Sequence, residues 1–182
     1  MPSVAPLNRL ETERLRLRSS VAGDAAVFRR LWTERDPRVP ARRQIDASGH
    51  PTVEDIEEHL RTTAETGRAG LLTVERKAEG DVIGYSGLVF DDHGAAGEPE
   101  LAFELLAAVH NRGYATEAAR AVVAWAEGAG HHRLRATVWD WNAPSLSVLE
   151  KLGFVDTGEA NPETPHGRTL LLVREQQGSG AR

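Results

Sequence analysis

The segment His110-Asn111-Arg112-Gly113-Tyr114-Ala115-Thr116-Glu117-Ala118 joins an apolar strand pattern to an alanine-rich helix pattern through a turn with one glycine. N–H groups in the first turn of a helix lack intrahelical acceptors and point outward with the positive end of the helix dipole. Such a turn can hold a phosphate or pyrophosphate. Gly113 lets the backbone come close, although a glycine here also meets a purely steric need. No Lys-Ser or Lys-Thr follows it and there is no three-glycine fingerprint, which excludes a P-loop and the usual dinucleotide site. Glu100 and Glu104 are four residues apart in the preceding strand pattern. They therefore share one side of the sheet, opposite Leu101, Phe103 and Leu105, where one carboxylate can act as a base or both can simply be solvated. Asn142 and Ser145 sit where a strand pattern passes into a helix pattern, and can cap that helix or touch a ligand. His131-His132 and Asp91-Asp92-His93 are adjacent loop residues without a second cluster, so no metal is assigned.

These groups need a sheet to position them. Leu15 and Leu17 alternate with Arg14, Arg16 and Arg18, the period-two mark of a strand with one buried face. Ala25, Phe28, Leu31 and Trp32 fall at helical spacing before Asp36-Pro37 closes the segment. Thr52 with Asp55 opens a second helix, whose stripe Val53, Ile56, Leu60 and Ala64 runs as far as Gly67. Residues 71–76 and 82–90 read as antiparallel strands joined by a short loop containing Gly80. After the polar loop 91–98, residues 100–109 read as a central strand. Ala115, Ala118, Ala119, Val122, Val123 and Ala126 make a helix ended by Gly128 and Gly130. A strand over 134–139, a helix over 143–152 stopped by Gly153, and a closing strand over 169–174 complete a single domain spanning 1–175. Residues 176–182 read as a disordered tail. The predicted order is βααβββαβαβ, an α+β or three-layer arrangement.

With 182 residues, 40% of them hydrophobic, the chain can build one sizeable core. No apolar run approaches the roughly 20 residues that cross a bilayer, and residues 1–10 lack the apolar core of a secretory signal. A soluble, cytoplasmic protein is expected. The absence of cysteine excludes disulfides, thiolate zinc sites and a cysteine nucleophile. A net charge of -5 argues against nucleic acid as a partner. Arg38, Arg42 and Arg43, in the loop 37–51, form a basic cluster that can attract an acidic acceptor or remain an exposed loop. Trp32, Trp139 and Trp141 can line a pocket or be buried in the ordinary way.

The turn resembles the coenzyme-A-binding motif of the GNAT acetyltransferases, [QR]-x-x-G-x-[GA], with Gly113 and Ala115 at the small positions and His110 departing from the first. The run from Arg112 to Ala118 is similar to the branch of ribosomal-protein N-terminal alanine and serine acetyltransferases. Leu10-Glu-Thr-Glu-Arg-Leu-Arg-Leu-Arg18 resembles the family's opening strand, Val82-Ile-Gly-Tyr-Ser-Gly-Leu88 its third strand, and the run from Asn142 to Phe154 the segment that closes on the cofactor. The resemblance implies a mixed, mostly antiparallel sheet with helices on both faces, and acetyl-CoA as co-substrate. It implies cofactor contacts from Leu105, Leu106, Ala107, Asn111, Arg112, Gly113, Tyr114, Ala115, Thr116, Asn142 and Ser145. It also implies Glu100 as a base acting through water, with Glu104 nearer the thioester, and a backbone amide near Leu105 or Leu106 for the oxyanion if the strand is bulged. Leu149 occupies the place of the family's acidic tyrosine, which leaves the Ser145 hydroxyl as the acid. The implied acceptor is a protein or peptide N-terminal amine. A small-molecule amine is the alternative, a non-catalytic acyl-CoA sensor is an alternative of another class, and a homodimer is left open.

Overall fold

The computed structural model describes residues 7–66, 70–90 and 98–176. Along the chain come β1 (Arg9–Glu11), β2 (Leu15–Ser19), α1 (Ala25–Glu34), α2 (Val53–Thr66), β3 (Leu71–Arg76), β4 (Val82–Val89), β5 (Glu100–Leu105), α3 (Tyr114–Gly128), β6 (Arg133–Trp139), α4 (Ala143–Lys151), β7 (Val155–Ala160) and β8 (Thr169–Glu175). The strands form one sheet in the order β1-β2-β3-β4-β5-β6-β8-β7. Every pairing is antiparallel except β5 with β6. Gly67 and residues 91–97 of the expected polar loop lie outside the described residues, as do 177–182 of the expected tail. Gln176 is described, and its N–H donates to the His132 carbonyl at 2.8 Å.

The register sorts the two faces. Arg18, Thr73, Tyr85 and Glu104 pair in turn across four strands and share one face. Leu17, Val74, Gly84 and Leu105 make the next row on the other face, where Ala118, Ala119, Val122 and Ala126 of α3 are fully buried with them. Small side chains let α3 lie close to the sheet, and apolar burial drives the contact, each Val or Leu contributing about 1.5–3 kcal/mol. α4 packs beside α3. α1 covers the polar face, Phe28 meeting Tyr85 edge-on at 5.9 Å. α2 packs on α1 through Ile56 and Leu60, and begins with the expected reciprocal cap of Thr52 and Asp55. The polar face is stitched by Asp24, which is 3% exposed and bonded to Arg18, the Val21 N–H and Thr73.

Three features depart from the expected elements. β1 and β7 are additional strands; β1 has three residues, and all six of β7 are exposed, so neither carries an alternating pattern. The strand expected over 100–109 ends at Leu105, and Ala107–Val109 form a 3-10 turn. The His110 imidazole, 2.8 Å from the Leu105 carbonyl, closes that turn. Among the described residues no helix is long and apolar enough to cross a membrane.

Candidate active site

Gly113 caps α3 with φ 80°, and Asn111 before it takes φ 60°, so the chain makes two left-handed steps into the helix. The Glu117 N–H donates to the Gly113 carbonyl at 3.0 Å and begins the intrahelical ladder. Helix geometry therefore leaves the N–H groups of Tyr114, Ala115 and Thr116 without intrahelical acceptors. Glu117 anchors this turn to the bend between β1 and β2. Its carboxylate accepts from the Thr12 hydroxyl at 2.6 Å, the Arg14 N–H at 2.9 Å and Arg14 Nε at 2.6 Å. Arg14 also donates to the Arg112 carbonyl at 3.0 Å and lies 4.5 Å over the Tyr114 ring. Burial works to raise the Glu117 carboxyl, but the bonds from Thr12 and Arg14 outweigh it and hold the group below the usual range. The signal for this clamp was Thr12 with Arg14 in one motif and Glu117 in the other, although nothing in either stretch alone pairs them.

β5 and β6 meet in register at Glu100↔Arg135 and, among the described residues, nowhere beyond it. From there the strands diverge around a cleft of about 890 Å³, lined by Glu100, Thr137 and Trp139 on the sheet, Asn142 and Ser145 on α4, and Arg42 and Arg43 from the 3-10 turn Ala41–Arg43. The Asn142 side chain accepts from the Ser145 N–H at 3.3 Å and caps α4. Glu100 is held by Arg135 at 3.1 Å and by the Thr137 hydroxyl and N–H. Glu104 stands on the same face but outside the lining of this cleft. Arg35 grips both its oxygens, and the Tyr85 hydroxyl donates to it at 2.9 Å. Burial first, and then the Glu104 charge, raise the Tyr85 hydroxyl far above its usual range and keep it protonated.

The sequence profile described as "Acetyltransferase (GNAT) domain" matches residues 14–155. The chain belongs to the GNAT acetyltransferase family. It is an acetyl-CoA-dependent N-acetyltransferase by that membership. Solved structures share the fold: a GNAT-family acetyltransferase from Bacillus anthracis (TM-score 0.75, 22% identity, 92% of this chain and 98% of that one) is one. Another is a ribosomal-protein-S5-alanine acetyltransferase from Vibrio fischeri (TM-score 0.71, 18% identity, 93% and 97%). A variant spermidine N-acetyltransferase from Vibrio cholerae superposes with TM-score 0.73 at 16% identity over 91% and 95%. No curated protein sequence matches the chain significantly.

Within this GNAT domain the expected site residues separate. Asn111, Arg112, Gly113, Tyr114, Ala115 and Thr116 form the turn at the carboxyl end of β5, and Asn142 and Ser145 stand at the cleft. Three amides between them differ in their use. The Leu106 N–H donates to the Ile83 carbonyl at 2.9 Å and the Ala107 N–H to Glu34 at 2.7 Å, so both are engaged inside the protein. Leu105 and Gly84 form a non-hydrogen-bonded pair, since the bond falls on the neighbouring Leu106 and Ile83, which turns the Leu105 N–H away from β4 toward the splay. The register of β4 with β5 is regular, and the bulge falls instead at Val74/Glu75 between β3 and β4. Trp139 and Trp141 stack at 6.1 Å, and Trp32 lies under Arg35 at 4.1 Å. Among the described residues no group of three or more His, Asp or Glu is placed to hold a metal.

Proposed function

We propose that the cleft between β5 and β6 is the site of transfer and that the acceptor is the N-terminal amine of a protein or peptide. The observation that carries this reading is the placing of Glu100, Asn142 and Ser145 around the splay, with the Gly113 turn at the carboxyl end of the same strand. Acetyl-CoA fits these residues. The N–H groups of Tyr114, Ala115 and Thr116, which lack intrahelical acceptors, are suited to a pyrophosphate, Gly113 clears the backbone, and the gap between the strands is open to a pantetheine arm.

Glu100, through water, takes one proton from the ammonium and leaves the neutral amine. The amine nitrogen attacks the thioester carbon, and the Leu105 N–H faces the oxyanion that forms. As the C–S bond breaks, the thiolate takes the Ser145 hydroxyl proton, and Ser145 is reprotonated by the second proton of the former amine. Glu100 returns its proton to solvent. Glu104 lies outside the cleft lining, closed by Arg35 and Tyr85, and braces the loop that carries Arg43 instead of taking protons.

A second groove, of about 1780 Å³, runs between α1, α2 and the sheet past Phe28, Trp32, Ile56 and Leu60, and meets the first at Arg42 and Tyr85. Small-molecule pockets span roughly 300–1,000 Å³, and this second groove, beyond the cleft that takes the pantetheine arm, exceeds that range, which favours a peptide over a lone small amine. The test is thermal unfolding with acetyl-CoA, followed by coenzyme A release on peptides with free N-termini. Glu100→Gln is expected to keep the thermal shift and to lose turnover by about 10²-fold. An intact turnover in that variant removes Glu100 from the mechanism, and no thermal shift in the wild-type chain removes the site.

A further inference from the structure

The segment that brings Arg42 and Arg43 to the cleft also carries Arg35 and Arg38, and with Arg135 of the cleft wall these arginines are not equivalent. Arg35 is spent on Glu104 at 2.8 and 2.7 Å. Arg38 is paired with Asp36 at 2.8 Å and lies 4.1 Å over the Trp141 ring. Arg135 is paired with Glu100 at 3.1 Å. Arg42 and Arg43 line the cleft with exposed side chains and, among the described residues, make no ion pair. Against them the far wall sets Glu159 of β7, so the unpaired charge of the cleft is net positive.

These two guanidiniums are presented from a fixed place. The Arg43 N–H donates to the Pro40 carbonyl at 2.7 Å and the Gln44 N–H to Ala41 at 3.0 Å. Gln44 Nε2 reaches the Val39 and Pro37 carbonyls at 2.5 and 2.9 Å. Arg35, itself locked on Glu104 of β5, donates to the Arg43 carbonyl at 3.2 Å. On the other side the His166 imidazole sits 2.9 Å from the Arg38 carbonyl, and the Trp141 indole donates to the His166 carbonyl at 2.7 Å. The turn is thus pinned between β5 and the β7–β8 loop, across the cleft.

We propose that Arg42 and Arg43 select acceptors that carry a carboxylate a few bonds from the reacting amine. The assignment rests on reading the cleft as the transfer site. Arginine matches a carboxylate with two parallel N–H donors, and two guanidiniums set against the single carboxylate of Glu159 leave a net positive charge that repels a second ammonium. A polyamine is therefore the wrong acceptor for this mouth, whereas an amine next to an acidic group is the right one. The same chemistry is offered by a peptide with Asp or Glu in its first residues and by a free amino acid.

The experiment measures coenzyme A release by the full chain on matched acceptors: N-terminal peptides with Asp or Glu against Asn or Gln at the second and third positions, free amino acids against their amides, and spermidine. The carboxylate member of each productive pair is expected to have kcat/KM about tenfold higher, the size of one charge-assisted hydrogen bond. The Arg42→Ala/Arg43→Ala double variant is expected to bring both members to the same kcat/KM while keeping the thermal shift with acetyl-CoA. The peptide and amino-acid arms tell which source of carboxylate is used. Equal kcat/KM for acid and amide, preference for spermidine, or a preference that survives in the double variant would overturn the assignment while leaving the transfer site standing. Absence of the thermal shift in the wild-type chain would overturn both.

Discussion

Arg35 closes both oxygens of Glu104, Nε on one at 2.8 Å and a terminal nitrogen on the other at 2.7 Å, with side chains only 11% and 21% exposed. This pair joins the end of α1 to β5 and divides the labour of the two carboxylates, Glu100 lining the cleft and Glu104 bracing the loop that carries Arg42 and Arg43. Breaking a largely buried pair strands the partner's charge. Arg35→Ala and Glu104→Ala should each destabilise by about 1–3 kcal/mol, and the double variant by less than their sum. Denaturant unfolding of the four proteins measures the coupling, and strict additivity would show that the pair contributes nothing beyond its separate side chains.

The Gly113 turn makes a second demand. At φ 80° a side chain costs about 1–2 kcal/mol, and a Cβ there would stand 3.4 Å from the Arg14 guanidinium. Gly113→Val should lower stability by about that amount and weaken acetyl-CoA binding, read as a smaller thermal shift. Glu117→Ala releases the Arg14 clamp without altering the turn's own sequence, and should weaken binding too. Undiminished affinity in both variants would detach this turn from the pyrophosphate.

How far the residues alone could be read follows from the range of the forces involved. Leu15 and Leu17 against Arg16 and Arg18, or the alanine stripe of α3, are local periodicities, and both elements stand where that pattern puts them. The run from Leu105 to Val109 is apolar throughout and has no period, so its turn is decided by the His110 imidazole on the Leu105 carbonyl. β7 buries none of its side chains and leaves no trace in hydropathy. The site partners are harder still. Arg35 finds Glu104 across 69 residues and Arg14 finds Glu117 across 103, distances at which only the completed sheet brings charges together. The turn and the candidate carboxylates were therefore visible in the sequence, and their partners were not.

Ser86 on β4 is fully buried opposite Phe103, and its hydroxyl has no hydrogen-bond partner among the described residues. A buried unsatisfied hydroxyl carries a desolvation cost with no return. Ser86→Ala should therefore raise stability by about 1 kcal/mol, a Tm gain of roughly 2–4 °C for a chain of this size. A fall in Tm would mean that the hydroxyl is bonded in solution.

Acid stability should turn on Asp24. Burial acts to raise this carboxyl, but bonds from Arg18, the Val21 N–H and Thr73 outweigh it and hold it below the ordinary value of 3.8. A group depressed in the folded state contributes stability above its unfolded value and loses that contribution as pH falls through the folded one. Asp24→Asn removes the charge that holds both terminal nitrogens of Arg18 and leaves Arg18 only its ion pair with Glu75 at 3.2 Å, so the variant should be less stable than the wild type near neutrality. The gap should close as pH drops below the ordinary carboxylate range, because the wild-type carboxyl then becomes neutral as well. Paired unfolding curves from pH 7 to pH 2 measure this gap. A difference that stays constant over the whole window would assign the stabilisation to shape and hydrogen bonding alone, with no part for the Asp24 charge.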